Sequence, residues 1–266
     1  MIITSKDNET IKHIRKLKEK KYRDEYGEYI VEGTKLINEA IAENLDVKTI
    51  IVCDNCKSET INQNSMYEIA KLNCIYADEK VFNTITEVKS PQGILAVVGK
   101  KIKEKNIDYN EDFIIILDDI QDPGNLGTIL RTVDSAGLKQ IIVSKKSGDV
   151  YNSKVIRSTM GAIFRVNVIE SDDLVKTIKD LKKHKFTVIS TALDTDQSIY
   201  DVEYKKTAIV IGNEANGVSK EVQDISDKKI KIPMLGKTES LNASVATGVV
   251  VYEYVRQKLN PHVYKQ

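Results

Sequence analysis

A chain of 266 residues, 41% of them hydrophobic and 30% charged, carries enough apolar mass for one large or two ordinary domains and reads as a soluble globular protein. Its formal net charge of +1 excludes whole-chain electrostatic attraction as the basis of nucleic-acid binding, and no apolar run approaches the roughly 20 residues that a membrane span needs. The amino-terminal stretch lacks the apolar segment of a signal peptide, and three cysteines are an odd number for a disulfide framework, so a cytoplasmic protein is expected.

In chain order, "NETIKHIRKLKEKK" reads as a helix and opens a basic segment: from Met1 to Arg23 there are eight Lys or Arg residues against three acidic ones. Such a segment can neutralise phosphates or form a solvated helix face. "YIVEG" then reads as a strand, "TKLINEAIAEN" as a helix and "VKTIIV" as a strand. Cys53 and Cys56 have the spacing of half a zinc site, but no second pair follows and no histidine lies near, which leaves two incidental thiols at a strand end and no metal. "KIKEKNIDYNED" is polar and lysine-rich and reads as a linker, dividing the chain into domains at 1–106 and 107–266.

The second part starts with "FIIIL", a continuous apolar run of the kind found in a strand covered on both faces. A helix ending at Gly137, "QIIVS", a helix from Lys154 to Met160, "IFRVNV", "DDLVKTIKDLKKH", "FTVIST", "TAIVIG" and "KIKIPM" follow. This alternation predicts an α/β fold with a mainly parallel sheet flanked by helices, whose ligand site lies beyond the carboxyl ends of the strands.

Three polar loops follow apolar strands there. In "DDIQDPGNLGTILRT", Pro123 and Gly124 predict a turn; Asn125 stands at the start of the next helix and Arg131 about one and a half turns into it. In "GNEANGVSKEV", Gly212 and Gly217 bound a loop containing Glu214, but Val218 occupies the position where a phosphate loop needs lysine. No G-x-G-x-x-G occurs either, so both common nucleotide fingerprints are missing. The third loop, "IPMLGKTESLNASVATGVVVYE", puts Glu239, Ser240, Asn242 and Ser244 ahead of a β-branched helix. Helix-start preferences explain some of these polar residues but not all four.

Together, "NLGTILRT", "IGNEANGVS" and "IPMLGKTESLNASVATGVVVYE" resemble the three ordered motifs of the SpoU or TrmH family of RNA ribose 2′-O-methyltransferases, in the SPOUT superfamily. The resemblance covers roughly residues 111 to 266, and the stretch around "YIVEGTKLINEAI" is similar to the family's auxiliary substrate-binding domain, which is related to a ribosomal protein fold. It implies a trefoil-knotted methyltransferase domain, a homodimer, S-adenosylmethionine as cofactor and RNA as partner. Carried over, Gly212, Ile232 and Leu241 match the cofactor loops, with Thr191, Leu193 and Met234 as neighbours. Arg131 matches the catalytic arginine, and Asn125, Glu214, Ser240 and Asn242 complete the catalytic set. The separate amino-terminal domain favours ribosomal RNA, 23S above all. Transfer RNA, or an inactive relative that only binds RNA, is the alternative.

Overall fold

A computed structural model describes residues 2–54, 74–100 and 106–259. Their elements, in chain order, are β1 (Ile2–Ile3), α1 (Glu9–Lys16), α2 (Lys20–Tyr26), β2 (Glu28–Glu32), α3 (Thr34–Ala42), β3 (Val47–Cys53), β4 (Cys74–Ala77), α4 (Glu79–Phe82) and β5 (Ile94–Gly99). There follow β6 (Phe113–Asp118), α5 (Pro123–Ser135), β7 (Gln140–Ser144), α6 (Ser153–Thr159), α7 (Ala162–Arg165), β8 (Asn167–Ser171), α8 (Leu174–Lys183) and β9 (Thr187–Thr191). The chain continues through β10 (Thr207–Gly212), α9 (Lys220–Ile225), β11 (Lys228–Ile230) and α10 (Ala243–Leu259). They form two compact units. One comprises Met1–Ile102 with Asp149–Phe164, the other Lys103–Gly148 with Arg165–Gln266.

The first unit is built on a five-stranded mixed sheet in the order β1-β4-β3-β5-β2. Ile11, Ile14 and Leu17 from the amino-terminal helix pack on Ile30, Ile51, Leu95 and Val97 of that sheet. The predicted single helix over residues 8–21 is broken into α1 and α2, and the cause is Arg23. Its Nη1 donates to the carbonyls of Leu17 and Lys18 at 2.8 and 2.7 Å, acceptors that a continuous helix would use for its own ladder. Its Nε and Nη2 both donate to Asp149 Oδ2. Arg23 is therefore buried and committed, and it is withdrawn from the basic surface that its sequence context suggests. Lys18 is also engaged, donating to the carbonyls of Thr84 and Thr86. Tyr151, from the same inserted segment as Asp149, packs on Tyr29 with ring centroids 4.8 Å apart, beneath the Lys100 ammonium. At the end of β3, Cys53 is disulfide-bonded, which corrects its reading as an incidental thiol; Cys56 lies outside the described residues.

The second unit is a six-stranded parallel sheet in the order β11-β9-β10-β6-β7-β8. Every residue of β6 and β10 is buried, as their unbroken apolar sequences require. On one face, Ile114, Ile116, Ala208 and Val210 pack with Leu174, Ile178 and Leu181 of α8. The chain steps outward from β6 through β7 and β8, returns to place β9 beyond β6, then inserts β10 between them. The pairing runs from Thr207 opposite Phe113 to Gly212 opposite Asp118, so both central strands end at one level. "IFRVNV" is not one strand: its first residues belong to α7 and β8 begins at Asn167. Within the polar stretch before β6, Ile107 and Tyr109 pack against this unit's core. Tyr109 stacks on His184 at 3.6 Å and bonds Asp180, and its hydroxyl pKa is pushed up to about 12 by burial and by that carboxylate.

Removing the Arg23 guanidinium leaves Asp149, whose side chain is 11% exposed, without its counter-charge. Arg23→Ala is expected to lower folding stability by about 3 to 5 kcal/mol, the usual cost of breaking a buried ion pair from one side. Urea unfolding of the full chain measures it.

Candidate functional site

The loops that leave β6, β9, β10 and β11 converge at the carboxyl ends of the parallel strands. After β10 the chain makes a closed loop. Asn213 N donates to Gly217 O, and Gly217 N returns a bond to Asn213 O at 2.8 Å. The Asn213 side-chain oxygen accepts from the amides of Ala215 and Asn216, and its Nδ2 donates to the carbonyl of Asp119 at 2.9 Å. One asparagine thus folds the loop and fastens it to the end of β6. The buried Asp118 adds a second tie by accepting from Ser219 N at 2.8 Å. Gly212 is obligatory, because a Cβ there would stand 2.1 Å from backbone atoms of Gly217 and Val218. Gly217 supplies the positive φ, +67°, that closes the turn.

After β6, Asp119 takes a positive φ of 62° and donates its amide to Ser144 Oγ. The "DPGN" sequence is already helix. Asp122 is the N-cap, accepting from Asn125 N at 2.8 Å, and Pro123 occupies the first helical positions, where a missing amide costs nothing. This corrects the expected turn at Pro123 and Gly124. It also places Arg131 a little over two turns into the helix, and frees Asn125 from capping duty.

The side chain of Asn125 instead connects the other two loops. Its Nδ2 donates to Glu214 Oε1 and its Oδ1 accepts from Asn242 Nδ2 at 3.0 Å. Asn242 in turn caps α10: its Oδ1 accepts from the Ser244 amide at 2.9 Å and the Ser244 hydroxyl at 2.7 Å. The four polar residues around the start of the last helix therefore divide into two kinds. Asn242 and Ser244 organise the helix start, whereas Glu239 and Ser240 face a cavity.

That cavity, of about 370 Å³, is lined by Thr191, Leu193, Gly212, Ile232, Met234 and Leu241, all six residues expected to hold a cofactor. Glu214 and Ser240 also line it, while Asn125 and Asn242 join it through Glu214. Arg131 does not line it. It is exposed on α5 and makes no hydrogen bond or ion pair among the described residues. Sequence reasoning missed Asn213 and Asp118, the residues that shape the loop. The available signal was an asparagine directly after a strand-ending glycine, a position where its side chain can mimic a backbone turn.

A parallel sheet with a cavity beyond the carboxyl ends of β9, β10 and β11 has the form of a small-molecule-binding α/β protein. The match goes further. The model of the SpoU rRNA methylase family matches residues 112–252 and that of the MRM3-like substrate-binding domain matches residues 8–96. The chain belongs to the SpoU rRNA methylase family. It is 31% identical to the 23S rRNA (guanosine(2553)-2′-O)-methyltransferase RlmP of Bacillus subtilis (strain 168), over 94% of this chain and 97% of the relative. A putative TrmH family tRNA/rRNA methyltransferase of Staphylococcus aureus (strain MSSA476) is 32% identical over 86% of this chain and 96% of its own. Among solved structures, the AdoMet-bound rRNA methyltransferase from Sinorhizobium meliloti superposes with a TM-score of 0.82 at 28% identity, covering 97% of this chain and 98% of that one.

The loop geometry gives a direct test. Gly212→Ala is expected to cost about 3 kcal/mol, because the backbone it meets cannot move aside. Asn213→Ala is expected to cost about 2 kcal/mol through three lost side-chain hydrogen bonds. Thermal melting of the two variants reads both.

Proposed function

We propose that this chain transfers a methyl group from S-adenosylmethionine to a ribose 2′-hydroxyl of RNA, and that its substrate is 23S ribosomal RNA. The observation that carries the reading is the meeting of three distant motifs at one cavity, with every expected cofactor residue on its wall. The cavity fits the cofactor's chemistry. Its volume falls within the range of small-molecule sites, its wall mixes apolar residues such as Ile211, Val218, Ile230 and Leu241 with polar ones such as Glu214 and Ser240, and the side chain missing at Gly212 leaves the loop tightly folded. When bound, S-adenosylmethionine supplies a methyl group already activated on a sulfonium.

The protein then has to place a ribose hydroxyl in line and manage charge. Arg131, with a guanidinium that has no intramolecular partner among the described residues, binds the adjacent phosphate and stabilises the developing alkoxide. Asn125, Glu214, Ser240 and Asn242 form the polar frame in which the reacting groups are set. The 23S assignment is supported by the ribosomal specificity in the name of the Bacillus subtilis relative, whose length this chain nearly spans. The match of residues 8–96 to a substrate-binding domain supports the same assignment.

In this reading, residues 1–106 bind RNA, with the exposed Lys12, Arg15, Lys16 and Lys21 meeting phosphates, and residues 107–266 carry out the transfer in the cytoplasm. The second unit is knotted and pairs with a second copy through α10. An exposed stripe of Val245, Tyr252 and Leu259 on that helix, 52%, 50% and 73% accessible, supports the pairing.

Calorimetry is expected to show saturable binding of S-adenosylmethionine and none of NAD or ATP. Sedimentation at micromolar concentration is expected to give about twice the chain mass. With unmodified 23S rRNA and labelled cofactor, methylation should map to one alkali-resistant bond, and Arg131→Ala should slow single-turnover transfer by roughly a hundredfold or more while cofactor affinity stays near normal. Arg131→Lys should recover little, since a point charge does not reproduce the planar donor fork. Transfer at the ordinary rate in a folded Arg131→Ala protein would remove Arg131 from the mechanism.

A further inference from the structure

Methyl transfer to a hydroxyl releases a proton, and the reading above leaves its acceptor open. Arginine is a poor candidate because it remains protonated under ordinary conditions. The three histidines stand at positions 13, 184 and 262, outside the three loops of the site.

Most of the titratable and charged groups around the cavity mouth have identifiable commitments. From the β6 to α5 connection, Asp118 accepts from Ser219 N, Asp119 from Gln121 Nε2, and Asp122 caps its helix. At the end of β9, Asp194 is held by Lys229. Beyond β11, Lys231 pairs with Asp196, and Glu239 lines the cavity on an exposed stretch with no hydrogen bond to fix it among the described residues. Glu214 differs from all of them. It lines the cavity, and one of its oxygens is held by a chain of oriented amides.

The direction of that chain is set at the start of α10. Because Asn242 Oδ1 accepts from the amide and hydroxyl of Ser244, its Nδ2 must face outward, and it donates to Asn125 Oδ1. Asn125 must then present its own Nδ2, which it gives to Glu214 Oε1. A flip of either amide would oppose like groups along the chain. The helix cap thus dictates that Glu214 meets a donor on one oxygen, which keeps Oε2 as the acceptor available to a ligand.

We infer that Glu214 is the proton acceptor of the reaction and that Asn125 and Asn242 are its positioning residues. This rests on the methyltransferase reading above. In the step, the ribose O–H bond breaks and its proton passes to Glu214 Oε2. The electron pair left on oxygen forms the O–CH₃ bond, and the CH₃–S bond breaks with its pair returning to sulfur. Glu214 afterwards loses the proton to solvent.

The test is single-turnover methylation of unmodified 23S rRNA by the full-length protein across pH, with S-adenosylmethionine affinity measured alongside. The wild type should show an acidic limb along which the rate rises tenfold per pH unit. Glu214→Gln, which keeps an oxygen for Asn125 to bond, should bind cofactor normally, lose about a hundredfold or more in rate, and lose that limb. Asn125→Asp sets a like charge against Glu214 and should move the limb to higher pH, a shift that a purely structural role would not produce. Glu214→Asp, should Glu214→Gln fail to fold, should keep the limb at reduced rate. A Glu214→Gln protein within threefold of wild type with the limb intact, or an Asn125→Asp profile unmoved, overturns the proposal while the methyltransferase reading stands. A wild-type protein with no cofactor binding and no transfer overturns both.

Discussion

The site depends on one alignment. β6 and β10 are separated by almost ninety residues of sequence, yet they pair in a register that sets Gly212 opposite Asp118. Because the strands are parallel, their following loops leave from the same edge, and Asn213 and Asp118 tie those loops together within two residues of the strand ends. A shift of one residue in this pairing would turn Asp118 toward the opposite face and separate both ties. The buried apolar side chains of β6 and β10 fix the register, so the polar geometry of the loops is inherited from hydrophobic packing two layers below it.

The same logic explains why so few side chains do the organising. A closed loop of five residues would ordinarily carry several unsatisfied amides. Here one asparagine accepts two of them and gives its own amide to the neighbouring strand, while another, at the head of α10, sets the direction of a hydrogen-bond chain that ends on a carboxylate. Backbone donors and acceptors are the fixed points, and side-chain amides are the adapters between them.

Much of this was legible in the sequence, and the omissions have physical causes. Unbroken apolar runs identify buried parallel strands because nothing else needs so many β-branched residues together, and motif likeness picks out six residues that the fold brings to the wall of one cavity. The break between α1 and α2 was hidden because its cause, the Arg23 side chain bonding carbonyls six and five residues back, has no periodic signature. An arginine in a basic run reads as surface; only its partner Asp149, more than a hundred residues away, shows otherwise. Asp122 before Pro123 was a readable cap, but the following glycine suggested a turn and obscured it. Strand order is not encoded in periodicity at all, because which strand lies beside which is decided by long-range packing.

The grouping of Asp149–Phe164 with Met1–Ile102 bears on how the chain is made. A protein emerging from the ribosome can fold only what has been synthesised, and the first unit lacks its last piece until residue 164 is out. At 5 to 20 residues per second, the interval after residue 102 is roughly 3 to 12 seconds. For roughly the first 2 to 9 seconds of it the Arg23 charge, destined for burial, has no carboxylate from residue 149 to meet. The amino-terminal unit is first to begin and is obliged to wait, so the two units mature as interleaved halves of one synthesis rather than as consecutive domains.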